Sequence, residues 1–207
     1  DPTNKDLLNK FICLRQQTVK ATSIPNLSIC DFVSSDEKIN DFVGCFAVSS
    51  GFGTDEFAKI YEDKNDDYNS IMIKALADRL AEATAEYLHE KVRKEYWGYD
   101  SEENLSNSEL IAEKYKGIRP APGYPACPDH LEKNVIWNLL DVEKNIGIKL
   151  TESLAMWPAS SVSGYYFSHP EAKYFGLGKI DNDQLEDYAK RRKISTELAK
   201  KWLNPIL

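Results

Sequence analysis

Cys127 and His130, spaced as CxxH, are the thiol and imidazole that stand closest together along the chain. Such a pair could share a metal, but a zinc site needs a second pair at suitable spacing. The remaining cysteines stand apart at 13, 30 and 45, so none is supplied. The expectation is a thiol and an imidazole near a helix start. Three histidines in 207 residues restrict general acid–base chemistry. No GxGxxG, Walker loop, GxSxG or HExxH occurs. What the chain does offer is Ile118 to His130, IRPAPGYPACPDH, with four prolines and one glycine. Proline denies this segment both a helix and a central strand. A rigid loop results, and rigidity lowers the entropy lost when a loop presents groups to a ligand.

Charge narrows the partners. With 26 basic and 33 acidic residues the net charge is −7, which argues against a phosphate-binding surface, so nucleic acid is not an expected partner. The dense basic run, Lys190 to Lys193, reads as a solvated helix end. No apolar run approaches the ~18 residues of a membrane helix. Four widely spaced cysteines do not make a disulfide framework, so reduced thiols and the cytoplasm are expected. At 42% hydrophobic residues the chain can bury a core of its own, and a single domain over 1–207 is expected.

These groups must be held by a small set of elements. Leu7 to Lys20 reads as helix, and Ile39 to Val48 as a buried strand closed by Gly51 and Gly53. Thr54 opens a helix with Asp55 and Glu56 in its first turn. A long helix is predicted from Tyr68 to Trp97, stopped by Gly98. Its apolar stripe would be Ile73, Leu76, Leu80, Ala83, Thr84 and Tyr87, with Asp78, Glu82, Glu86, His89 and Arg93 on the outer side. Ser106 with Glu109, and Asp129 with Glu132, have capping-box spacing. The helix after Asp129 should run to Asn145 and stop at Gly147. Residues 148–180 read as short strands, the last two joined in a hairpin turning at His169 and Pro170. Two helices, from near Asp181 and from Ser195, end the chain. The fold class is α+β, with helices packed around a twisted antiparallel sheet.

Longer segments go further than these patterns. LRQQT (Leu14 to Thr18), DDYNSIMIKALADRLAEA, YWGYDSEENLSN, GIRPAPGYPACPDH, LTESLAMWPASSVSGYYFSHPEAKYF and QLEDYAKRRKIS follow one another in order. Together they closely resemble the activation domain of cobalamin-dependent methionine synthase. The resemblance implies an S-adenosylmethionine-binding module of that enzyme, a 5-methyltetrahydrofolate–homocysteine methyltransferase of methionine biosynthesis. In the family, an electron from a flavodoxin-type donor and a methyl from S-adenosylmethionine restore methylcobalamin after oxidation to cob(II)alamin. The implied partners are the cobalamin-binding domain and flavodoxin or a flavodoxin-like reductase. No DxHxxG loop is present to place a histidine below cobalt, so cobalamin is expected on another domain. The family's N-terminal segment with its IDWTPFF-like motif has no match either. The chain is therefore expected to be a truncated domain, inactive alone. A module that senses S-adenosylmethionine, or docks flavodoxin, without transferring methyl itself is the alternative.

Residue by residue, the resemblance assigns the ligand to Arg119, Ala121, Tyr124, Tyr174, Phe175, Glu82 and Asp78. A guanidinium fork suits a carboxylate or ribose oxygens, although Arg119 could equally tie its loop to a carboxylate of the long helix. Ala121 would meet the adenosine through its backbone. Tyr124 would stack on the ligand or pack the loop. Tyr174 and Phe175 match a hairpin pair whose aromatic faces suit a sulfonium and an adenine, or else they pack a core. Phe175 stands where family members often carry a second tyrosine, so a hydroxyl contact there is lost. Glu82, with Asp78 one turn before it, could offset the sulfonium charge or form a solvated helix face.

Overall fold

The computed structural model describes residues 7–36 and 38–207. Its longest element, the helix α2 (Asp67–Lys91), follows α1 (Thr54–Glu62). Asp66 caps α2, its carboxylate accepting from the Asn69 N–H at 3.1 Å. The interior of α2 has neither glycine nor proline, the two residues that most oppose helix. The face it buries is not the large apolar stripe. Ser70, Ala77, Ala81, Ala85 and His89 are buried, whereas Leu76, Leu80 and Tyr87 are 55%, 60% and 59% exposed. Ala77, Ala81 and Ala85 recur every fourth residue and form a narrow smooth strip. Small side chains let another backbone approach closely; α1 packs against α2, and its Ala58 is fully buried. The strip continues by fourfold steps into His89 and Arg93, which are therefore inside rather than outside. A π-helical turn, Val92–Tyr96, and Gly98 at φ +72° end the helix.

The chain divides into two compact units. The second unit comprises Cys45–Tyr115 and Ile136–Gly164. Besides α1 and α2 it holds the short α3 (Asn107–Ile111), whose expected capping box of Ser106 and Glu109 is present. β1 (Gly44–Ser49) is paired with β4 (Ser161–Tyr166) in one two-stranded sheet. β2 (Lys149–Leu150) and β3 (Met156–Trp157) form an antiparallel pair. The helix expected up to Asn145 is broken: α4 (Glu132–Leu140) ends at Asp141, which is left-handed at φ +48°, and α5 (Val142–Ile146) resumes until Gly147. Arg93 is the largest fully buried side chain of this unit. Its Nε and Nη2 donate to Glu103 at 2.5 and 2.9 Å, and its guanidinium lies 4.3 Å from the Tyr115 ring centroid.

The first unit comprises the residues up to Gly44, Lys116–Val135 and Tyr165–Leu207. Its core gathers Ile12, Leu14, Leu177, Ile180, Leu185, Tyr188, Ala189, Ala199 and Leu203. The last five lie on α6 (Asn182–Arg192) and α7 (Thr196–Leu203). Ser195 caps α7 by accepting from Leu198 N–H at 3.2 Å. Two expectations fail here. Residues 7–20 are extended rather than helical, because their backbone groups are met by other segments. Glu132 takes the Ile12 N–H at 2.9 Å, and the Gln184 side-chain amide grips both the N–H and the carbonyl of Arg15. Residues 168–180 form no hairpin strand. The Leu177 N–H goes to Pro125 O and the Gly176 carbonyl to the Gln16 amide, so no partner strand is served. With helices beside small sheets, the architecture is the expected α+β class.

Candidate functional site

The proline loop is positioned by a short antiparallel pairing in the first unit. Ile118 and Phe167 exchange both backbone hydrogen bonds, at 3.0 and 3.1 Å, and Tyr165 N–H donates to Pro120 O at 2.9 Å. Ile118 and Pro120 point into the protein and are buried. Alternation then sends the Arg119 side chain to the other face. In this register Arg119 stands opposite Tyr166, in the non-hydrogen-bonded position where side chains come closest. Sequence reasoning missed Tyr166. The Ile118–Phe167 pairing that sets it beside Arg119 joins segments nearly fifty residues apart, and no local pattern announces it.

Beyond Pro120 the loop closes on itself. Tyr124 N–H donates to Ala121 O at 3.2 Å, Cys127 N–H to Tyr124 O at 3.0 Å, and Gly123 N–H to Cys127 O at 2.8 Å. Cys127 Sγ also donates to Ala121 O, at 2.8 Å. Burial pushes the Cys127 thiol well above its ordinary range. Gly123 is indispensable: its φ is +95°, and a Cβ there would lie 2.2 Å from His130 Cε1. His130 packs under this turn, and burial, then Lys133, lower its pKa. Both members of the CxxH pair thus pack against this turn, just ahead of α4 (Glu132–Leu140). No cluster of His, Cys, Asp and Glu able to hold a metal occurs among the described residues.

The loop brings together most of the residues assigned by resemblance. Tyr174 reaches it directly, its hydroxyl accepting the Arg119 backbone N–H at 2.9 Å. Tyr124 lies 61% exposed at the tip. Phe175 turns the other way. It packs on the first unit's core, with its ring 6.3 Å from Phe32. Asp78 and Glu82 belong to the second unit, on the exposed side of α2, and Asp78 accepts a hydrogen bond from Ser160 Oγ at 2.5 Å. A ligand role for these two carboxylates rests on the family resemblance alone.

Behind the loop lies a buried charge cluster. Asp129 and Glu132 do not form a capping box. Asp129 accepts from Tyr188 OH and from Arg192 Nη2, each at 2.5 Å, and Arg192 Nη2 also contacts Glu132. The basic run is therefore not wholly solvated: Arg192 is drawn inward while Lys190, Arg191 and Lys193 stay exposed. One guanidinium serves two buried carboxylates. Burial, with Asp129 adding to it, outweighs the pull of Arg192 and pushes Glu132 up from 4.5 to about 6. The folded state then holds this proton more tightly than the unfolded chain. The stabilisation is complete below 4.5 and is lost as pH rises through about 6. Between these values Glu132 should remove on the order of 2 kcal/mol of stability. Subtracting the stability–pH curve of Glu132→Gln from that of the wild type isolates the slope. A flat difference curve would mean that Glu132 titrates normally.

A rigid Pro/Gly loop beside a short antiparallel pairing, carrying Arg119 and Tyr124 and braced by Tyr174, is the candidate site of this α+β fold. Residues 1–193 match the family model of the vitamin B12-dependent methionine synthase activation domain, and the chain belongs to this family. It is also similar to a crystal structure of the MetH reactivation domain bound to AdoHcy, with 56% identity and a TM-score of 0.96. The match covers 100% of the present chain, which spans 64% of the length of that structure.

Proposed function

We infer that this chain binds S-adenosylmethionine and presents its methyl group for the reductive reactivation of cobalamin in methionine synthase, in support of methionine biosynthesis from homocysteine. The observation that carries this reading is the 56% identity and TM-score of 0.96 to a domain bound to AdoHcy, the demethylated form of that ligand. The geometry of the loop agrees with it. The Arg119 guanidinium supplies a planar fork for the carboxylate or ribose oxygens. Tyr124 offers an exposed aromatic face for the sulfonium or the adenine, and Ala121 lies within the closed turn. Tyr174 steadies the backbone at Arg119. Cobalamin, held by another domain, supplies the metal that accepts the methyl. Here the protein's work is positioning and electrostatics. Flavodoxin or a flavodoxin-like reductase would deliver the electron, in the cytoplasm. Among the described residues, no helix is long and apolar enough to cross a membrane.

Calorimetric titration tests the reading. The wild-type chain should bind S-adenosylmethionine, and Arg119→Ala should weaken binding by roughly 1.5–3 kcal/mol through loss of charge-assisted hydrogen bonds. Its melting temperature without ligand should barely move. Unchanged affinity with a large loss of stability would make Arg119 a loop tie. Methyl transfer to an added cobalamin domain under reducing conditions separates reactivation from sensing alone.

A further inference from the structure

We propose that Cys13 and Cys30 form a peroxide-oxidisable dithiol, a covalent modification site at the rim of an apolar cavity in the first unit. This inference stands independently of the ligand reading. Arg15 and Ser28 form an antiparallel bridge, and Gln16 N–H donates to Leu27 O at 3.0 Å. That bond makes Arg15 and Ser28 a non-hydrogen-bonded pair, the kind whose side chains approach most closely. Two residues further along both segments, the same register sets Cys13 against Cys30, just as the second segment turns into the 3-10 helix Ile29–Phe32. Both thiols line a cavity of about 320 Å³ whose other walls include Phe11, Val33, Val43 and Phe167. Cys30 is exposed and Cys13 half-buried, so one thiol meets solvent while its neighbour waits behind it.

The chemistry of the two sulfurs differs in the way such a site requires. The neighbouring Cys13 thiol, then the Ser28 hydroxyl 3.2 Å away and the Arg15 guanidinium, hold the Cys30 thiol down to about 6 against burial and Asp31. Cys13 is shifted far upward and keeps its proton. The lowered pKa raises the share of Cys30 thiolate, the form that attacks peroxides. Its sulfur attacks one oxygen of a hydroperoxide, the O–O bond breaks, hydroxide leaves and a sulfenic acid forms. The Cys13 sulfur attacks the sulfenic sulfur, the S–S bond forms, the S–O bond breaks, and the Cys13 proton leaves with the departing hydroxyl as water. In sum, two thiols lose two electrons, and hydrogen peroxide is reduced to two waters. Cys127 takes no part, because its Sγ is committed to the Ala121 carbonyl and burial keeps it protonated.

The test uses the full chain. After brief exposure to hydrogen peroxide, free thiols are alkylated and the protein is cut with trypsin without reduction. The expected product joins peptide 11–15 to peptide 21–38 with the loss of two hydrogen masses, and dithiothreitol releases it. In Cys13→Ser, dimedone should trap a sulfenic acid on Cys30 with no cross-link. Independently of any variant, iodoacetamide at neutral pH should modify Cys30 of the native wild type roughly tenfold faster than Cys127, as a lowered thiol pKa dictates. A cross-link through Cys45 or Cys127, a sulfinic acid on Cys30 beside an alkylated Cys13, or equal alkylation rates would overturn the proposal.

Discussion

Replacing Arg192 with alanine is expected to destabilise the chain by about 3–5 kcal/mol, the range for breaking a buried ion pair from one side. The reason is the ratio of charges. Asp129 and Glu132 are almost wholly covered, with side chains 3% and 4% exposed, and the Arg192 guanidinium is their shared cation. Without it, the Tyr188 hydroxyl remains on Asp129 and the Ile12 N–H on Glu132. Neutral donors do not offset two desolvated charges. The loss is large against a typical total stability of about 5–15 kcal/mol. It should also depend on pH. Once the cation is gone, Glu132 loses the pull that opposes its burial and takes up its proton still more readily when folded than when unfolded. The deficit therefore grows as pH rises above the ordinary carboxylate range and shrinks below it. Urea midpoints at unchanged slope measure both effects. A loss under about 1 kcal/mol at neutral pH would return Arg192 to the solvated helix end that its basic neighbours suggest.

In the second unit, Glu103→Ala should have an effect of similar size, about 3–5 kcal/mol. Arg93 has no exposed surface at all, and Glu103 is its bidentate partner. Stacking on Tyr115 persists in the variant, but a ring face replaces only a fraction of a carboxylate. Arg93→Met combined with Glu103→Leu should be far milder, since well-packed apolar replacements remove both desolvation penalties together. Denaturant melts of the single and double variants settle the point. If the double variant is as unstable as Glu103→Ala, lost packing rather than an orphaned charge is responsible.

What could be read beforehand followed the range of each interaction. The starts of α6 and α7, the Ser106 box and the Gly98 stop are local, and all were legible, whereas the α1 cap falls on Gly53 rather than on Thr54. The long helix was legible in extent but not in orientation. Periodicity favoured Leu76, Leu80 and Tyr87 because they are large, whereas α2 buries the Ala77, Ala81 and Ala85 strip. Carried on in steps of four, that strip would have flagged His89 and Arg93 as interior. Residues 7–20 carry a helical pattern, yet Glu132 and Gln184 claim their backbone from more than a hundred residues away. The same range hides the Asp129–Glu132–Arg192 cluster, which mimics a capping box at one end and a solvated basic run at the other. Within the candidate site, the proline content made the loop legible. The hydrogen bond from the Arg119 backbone to Tyr174 and the register with Tyr166 required the folded chain.

The core of the first unit joins Ile12 and Leu14 to Leu203. On the ribosome, therefore, it cannot close until Leu203 has emerged, whereas the second unit has all of its residues once Gly164 has emerged. Ile12 and Leu14 thus wait for partners made far later in the chain. Until then, Ile12 and Leu14 stay open to chaperones.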